Sequence, residues 1–183
     1  SCPDHGIFGE EGERVNPHAA LQWVLDPIDG TSAFIAGYPT FTTLVALVEN
    51  GTPVLGLIDQ PVLRERWVGI AGQSNAHKAQ SATTLAHARI ATTSLDHFTP
   101  QQREAFVRLR AGVRGALYGG DAYAYAMLAA GQLDAVVDGG MKPYDFCALV
   151  PVVESVGGII TDWRGAPLTL NSKGDVAAAA NAE

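Results

Sequence analysis

One run constrains this chain more than any other: Trp23-Val-Leu-Asp-Pro-Ile-Asp-Gly-Thr31. Residues 21–25 read as a short apolar strand. It is expected to end at Asp26-Pro27, because proline has no amide to give to a ladder. Asp26 and Asp29, separated by a turn, can then converge on one point. Gly30 permits a tight turn, and Thr31 to Ala36 is expected to form a brief helix closed by Gly37 and Pro39. The amides of Gly30, Thr31 and Ser32 would face outward at its N-terminus, where anions bind readily. Carboxylates for a hard cation beside amides for a phosphate make a coherent chemical unit. The plainer alternative is a strand-to-helix turn with a capping Asp.

Charge sharpens that reading. The 183 residues carry 12 Lys+Arg against 19 Asp+Glu, a formal net charge of −7. Such a surface repels nucleic acid and anionic lipid, so neither is expected as a partner. A phosphate ester approaching an acidic site needs an intervening cation, which points to bound metal. No apolar stretch approaches the roughly 20 residues that span a bilayer. No basic-then-apolar leader opens the sequence, so the cytoplasm is the expected compartment. Cys2 and Cys147 form no CxxC pair and the histidines have no zinc spacing, which leaves two structural thiols.

Along the chain, Thr42 to Glu49 and Thr52 to Ile58 read as strands joined by Asn50-Gly51, a strong hairpin signal. Arg66 to Ala71 is expected as a third strand of the same antiparallel meander. Gln73 to Ala88 is polar and alanine-rich without a period, a surface excursion and the one place for a boundary. Ala88 to Thr93 reads as a strand and Pro100 to Ala111 as a helix with Ala105, Phe106 and Leu109 on one face. Gly119-Gly120-Asp121 leads into a helix from Ala122 to Ala130 stopped by Gly131. Leu133 to Val137 and Ile159 to Asp162 are expected strands. Between them Asp145 to Val156 is expected as one helix bent at Pro151. Ala177 to Ala180 is an alanine-rich end. Helices alternating with strands in the second half indicate α/β layers.

Two further acidic elements stand apart from the central run. Gly9-Glu10-Glu11-Gly12 taken alone is an ordinary solvated pair. In Lys142-Pro143-Tyr144-Asp145 the Asp could simply cap the following helix. Taken in order, however, Gly9-Glu10-Glu11, Asp26-Pro27-Ile28-Asp29-Gly30-Thr31 and Tyr144-Asp145 resemble the metal-binding motifs of the inositol monophosphatase superfamily, with Tyr144 where that family usually has Trp.

The resemblance implies a layered helix–sheet–helix–sheet–helix (αβαβα) fold of α/β (α+β) class, with a mainly antiparallel sheet and a second, mixed one. It divides the chain into an N-terminal lobe, 1–88, carrying the first two motifs, and a C-terminal lobe, 89–183, carrying the substrate pocket and Asp145. It implies two or three Mg²⁺ ions held by Glu10, Asp26, Asp29, Asp145 and the carbonyl of Ile28. Gly30, Thr31 and Ser32 would hold phosphate, with Thr31 also catalytic. The helices that precede Gly9-Glu10-Glu11 in the family, with the acidic residue that works beside the threonine, are expected to be absent from this chain. Homodimerisation is common in the family and is expected here.

Within the superfamily, Asp59-Gln60-Pro61-Val62, Glu65-Arg66-Trp67-Val68-Gly69, Tyr118-Gly119-Gly120-Asp121 and Lys142-Pro143-Tyr144-Asp145 are most similar to the histidinol-phosphatase branch. That implies hydrolysis of L-histidinol phosphate in histidine biosynthesis. Histidinol carries an ammonium group, so its pocket should offer carboxylates beyond the metal ligands. Gly119, Gly120, Asp121 and Asp138 stand where the family binds the non-phosphate part of the substrate; capping of the helix from Ala122 is the plainer role for Asp121. Inositol 1-phosphate, or another sugar or nucleotide phosphate, is the alternative substrate. A haloacid dehalogenase-type phosphatase would need Asp-x-Asp, whereas Asp-x-x-Asp puts the second carboxylate on the other face of a regular strand. A non-catalytic metal- or phosphate-binding relic is the reading of a different class.

Overall fold

The structure, a computed structural model, describes residues 2–75, 79 and 84–181. Five strands form the first sheet in chain order: β1 (Gly6–Gly9), β2 (Leu21–Asp29), β3 (Thr42–Glu49), β4 (Thr52–Gln60) and β5 (Glu65–Ile70). β3 to β5 are the antiparallel meander expected around Asn50-Gly51, and β2 joins it antiparallel to β3. Asn50 and Gly51 both take the positive φ, 49° and 85°, that the hairpin between β3 and β4 requires. β1, too short and glycine-rich to read as a strand, adds at the edge parallel to β2. Helix α1 (Thr31–Ala36) follows β2 and closes at Gly37 as its sequence suggests.

β2 corrects one expectation. It does not stop at Asp26-Pro27 but runs on to Asp29. Asp26 pairs with Leu44 and Asp29 with Thr42, so three steps along β2 match two along β3. The extra residue is a bulge, the form in which a strand carries proline without losing its neighbour. The Asp26 side chain closes it by accepting the Ile28 amide at 3.0 Å.

The second sheet has the order β7 (Gly115–Tyr118), β6 (Arg89–Thr92), β8 (Ala135–Asp138), β10 (Val176–Ala179), β9 (Ile159–Thr161). β6 runs parallel to β7 and β8, while β10 is antiparallel to β8 and β9. β7 and β10 lie in stretches whose glycine or alanine content carries no strand signal. Helix α2 (Pro100–Gly112) starts at a capping box, Thr99 and Gln102 each accepting the other's amide. Of its expected apolar face, Phe106 is buried and Leu109 packs beside it. Helix α3 (Asp121–Ala129) begins one residue earlier than expected.

Asp145 to Val156 is not one helix bent at Pro151. It is α4 (Pro143–Phe146) and α5 (Leu149–Ser155), with the break at Cys147-Ala148. Pro151 donates no amide to Cys147, and its ring crowds that carbonyl, so the interruption falls one turn before the proline. Asp145 is consequently inside a helix rather than at its cap.

The layers follow from which faces are covered. The inner face of the first sheet meets α4 and α5, and the approach is close enough to require glycine. A Cβ at Gly56 or Gly69 would sit 2.0 Å from the backbone of Ala148 or Pro151. The second sheet lies on the other side of these helices. The main core joins Val24, Leu44 and Ile58 of the first sheet to Leu149 and Val153 of α5 and to Val136 and Ile160 of the second. A smaller core of Ile90, Phe98, Phe106 and Val113 seats α2 on the far face of the second sheet.

The outer face of the first sheet is different. Ile7, Trp23, Leu47, Leu55 and Ile70 form one row across all five strands, and Leu25, Val45, Leu57 and Val68 form a second. Ile7, Val68 and Ile70 are each about 40% exposed, and the rest are half-buried. Part of the excursion from Gln73 to Ala88 lies outside the described residues. Within it, Leu85–His87 is a 3₁₀ turn, and Asn75 donates its amide to the Ser155 carbonyl. Among the described residues no helix is long and apolar enough to cross a membrane.

Candidate active site

The two sheets present their acidic residues at one seam. β1 and β2 are parallel with Gly9 opposite Leu25, so both strands end on the same side and deliver Glu10 beside Asp26. The Glu10 amide donates to the Leu25 carbonyl, and its carboxylate stands near enough to that of Asp26 to repel its charge. The bulge at Pro27 decides where Asp29 goes. In an uninterrupted strand Asp26 and Asp29 would face opposite ways; with one extra residue between them both are buried on the inner face. α4 brings Asp145 to the same place, oriented by the Lys142 amide, which donates to its Oδ2 at 2.7 Å.

Asp26, Asp29 and Asp145 offer carboxylate oxygens within 4.8 Å of one another. Glu10 borders this group without belonging to it. Burial, with Glu10 and Asp145 adding repulsion, pushes the Asp26 carboxyl up to about 7. Burial likewise raises Asp145 to about 6, against the stabilising Lys142 amide. Burial also holds Asp29 well above the usual range, although the Ala122 amide opposes the shift. Carboxylates crowded in this way lack enough positive charge from the protein itself. A hard divalent cation supplies it and favours oxygen donors. The residues present therefore fit a metal of that type.

Asp29 also fastens the two sheets together. Its Oδ2 accepts the Ala122 amide of α3 at 2.8 Å and the buried Thr42 hydroxyl at 3.3 Å. The plainer role for Asp121, capping, falls to other residues: α3 takes Gly120 as N-cap, and Asp29 satisfies the amide of its second residue. Gly119, Gly120 and Asp121 all have positive φ, at 86°, 103° and 45°. The resulting turn lays the Asp121 carboxylate over Gly30, where a Cβ would meet its Oδ2 at 3.0 Å. Gly30 itself has φ 79°, so this position favours glycine on both counts. Thr31 and Ser32 form the exposed first turn of α1, and the Thr31 hydroxyl donates to the Ile28 carbonyl at 3.2 Å.

Beside the acidic group is a cavity of about 300 Å³, lined among others by Asp29, His97, Asp121, Asp138, Met141 and Asp145. Asp121 and Asp138 thus reach one space from different elements, but in different states. Asp138 is buried and accepts hydrogen bonds from the Thr93 amide, the Thr92 hydroxyl and the Tyr125 hydroxyl at 2.7, 3.2 and 2.9 Å. Among the described residues no such bond holds the Asp121 carboxylate. Burial and Asp138 raise its carboxyl, and His97 lowers it. The wall residues Thr93, His97 and Met141 have no motif to announce them. They arrive from the segment after β6 and the loop after β8, which only the tertiary fold brings together.

A family model described as the inositol monophosphatase family matches residues 1–183. A chloroplastic bifunctional phosphatase of Arabidopsis thaliana is 50% identical over 172 residues, which cover 90% of this chain and 50% of that protein. A histidinol-phosphatase of Chlorobaculum parvum is 34% identical, over 96% of this chain and 70% of its own. The chain thus spans half the length of the first of these relatives and about two thirds of the second. Among solved structures, an inositol monophosphatase from Zymomonas mobilis superposes with a TM-score of 0.92 at 48% identity, covering 98% of this chain and 72% of that one.

Proposed function

The chain belongs to the inositol monophosphatase family, and on that premise we propose that it is a Mg²⁺-dependent phosphomonoesterase whose favoured substrate is L-histidinol phosphate. The observation that carries this reading is the convergence of Asp26, Asp29 and Asp145 within 4.8 Å, three carboxylates from two motifs far apart in the chain. With Glu10 beside Asp26 and the Ile28 carbonyl on the same turn, these residues would hold two or three ions. Metal bound there supplies charge for the phosphoryl oxygens and an activated water for in-line displacement.

The protein's own groups do the rest. The amides at the start of α1, Thr31 and Ser32, lack intrahelical partners and take phosphate oxygens, with Gly30 keeping that approach open. The Thr31 hydroxyl donates its hydrogen bond to the Ile28 carbonyl, which leaves its oxygen lone pairs free to accept one from a water held at the metal site. Asp29 keeps the Asp121 turn in register with the acidic group through the Ala122 amide. Asp121 receives the ammonium of the leaving alcohol, while Asp138, fixed by three donors, shapes the wall behind it. We further propose two lobes, 1–88 and 89–183, with this site at their seam, a homodimeric assembly and a cytoplasmic compartment.

Relatives named as histidinol-phosphatases support the substrate, and so does an anionic cavity suited to an amine. A Mycolicibacterium smegmatis relative named as an inositol-1-monophosphatase, 33% identical, makes inositol 1-phosphate the second reading. Phosphate release from L-histidinol phosphate and from D-myo-inositol 1-phosphate, with and without Mg²⁺, separates the two. Faster Mg²⁺-dependent release from histidinol phosphate is expected; equal rates or a preference for inositol phosphate would sink the substrate assignment. Asp26→Asn is expected to lower kcat at least about 10³-fold by removing a ligand at the centre of the acidic group. An active Asp26→Asn enzyme would contradict the metal assignment.

A further inference from the structure

On the phosphomonoesterase reading, we propose that His97 is a specificity-determining residue: the counter-group that sets how much negative charge Asp121 offers to the leaving-group end of the substrate. His97 closes a 3₁₀ turn, Leu95–His97, and lines the same cavity as Asp121 and Asp138. The turn is held on several sides. Ser94 Oγ accepts the Asp96 amide at 3.1 Å, and Arg103 donates to the Leu95 carbonyl at 2.7 Å. The next residue, Phe98, is buried with its ring 5.7 Å from Phe106 and 5.3 Å from Trp163. Gly140 borders the turn across the cavity mouth, where a Cβ would lie 3.5 Å from the His97 carbonyl oxygen. The imidazole is therefore presented by a fixed backbone rather than by a free loop.

Charge assigns the role. Among the described residues lining the cavity, the carboxylates are Asp29, Asp121, Asp138 and Asp145, and His97 is the one side chain that can carry positive charge. Asp29 and Asp145 belong to the metal-binding group, and Asp138 is taken up by Thr92, Thr93 and Tyr125. Asp121 is the carboxylate left for a ligand, and His97 offsets it. Behind His97 on its own turn, Asp96 lies 3.8 Å from Arg103, so that pair largely cancels. An ammonium-bearing alcohol gains from an uncompensated Asp121, whereas a neutral polyol must desolvate it without a charge in return. His97 thus tempers discrimination between the two classes.

The test uses the full chain with His97→Ala, His97→Asn and His97→Lys. Binding of L-histidinol and of myo-inositol is measured calorimetrically with Mg²⁺ and phosphate present, alongside kcat/KM for the two phosphate esters. The preference for the amine over the polyol is expected to rise about five-fold in His97→Ala and to fall about five-fold in His97→Lys. These are modest effects because His97 is solvent-exposed and screened. His97→Asn should fall between the wild type and His97→Ala, and Mn²⁺ affinity should be unchanged throughout. A ratio constant within two-fold across the series, or equal losses for both ligands, overturns the proposal. A wild-type chain that hydrolyses neither ester defeats the phosphatase reading instead, while the binding ratio still reports on His97.

Discussion

The two sheets of this molecule have the same number of strands but not the same cover. The second is closed on both faces, by α3 and α5 on one side and by α2 on the other. Among the described residues the first is closed on one face only, yet its other face carries two unbroken apolar rows. A sheet with one wet face ordinarily alternates apolar and polar along each strand. Here the alternation is apolar against apolar. Stability should therefore depend steeply on α2 and on the helix–sheet seam, and hardly at all on the outer rows as they stand.

The largest break in that contrast should come from Phe106→Ala, which empties the small core under α2. A loss of about 3–5 kcal/mol in chemical denaturation is expected; a loss below about 1 kcal/mol would show that α2 contributes little. Next is the seam itself, probed by removing metal. Asp26 and Asp145 have folded-state values of about 7 and about 6 against 3.8 unfolded. With raised values the folded chain binds more protons, so the metal-free protein is most stable below about pH 4 in this respect and loses that contribution as pH rises through 6 to 7. Its melting temperature should fall by about 5–10 °C over that window, and Asp26→Asn or saturating Mg²⁺ should flatten the slope. A metal-free melting temperature that climbs from pH 4 to 7 would contradict the crowding of these carboxylates.

Gly69→Ala should cost about 1–3 kcal/mol, because the added methyl meets the Pro151 carbonyl and α5 must lift off the sheet. The smallest effect belongs to the outer rows. Leu57→Lys should change stability by less than about 0.5 kcal/mol while reducing self-association in sedimentation. The same substitution costing as much as Phe106→Ala would mean that the outer face is covered and that the contrast between the sheets is false.

How much of this could be read from the residues follows the same division. The meander from Thr42 announced itself through its apolar, β-rich runs and Asn50-Gly51, and the three acidic motifs through residue type and order. β1, β7 and β10 did not, since four-residue strands of glycine and alanine gain their state from neighbours rather than from propensity. The bulge at Pro27 was hidden for a related reason. Proline reads locally as an end, and only the partner strand β3 shows that the ladder resumes at Asp29. Asp145 was found, but its place within α4 depended on which carbonyl Pro151 disrupts. His97 had no local signature at all.

The turn at Gly119-Gly120-Asp121 also limits how this pocket can diversify. Asp121 holds a φ of 45°, which aspartate, asparagine and glycine tolerate and branched side chains resist. Random mutagenesis at this codon should therefore yield folded clones concentrated in those three residues. A lineage changing its preferred alcohol would have few steps open at position 121 itself, and would have to travel through neighbouring wall positions whose backbone accepts a wider alphabet.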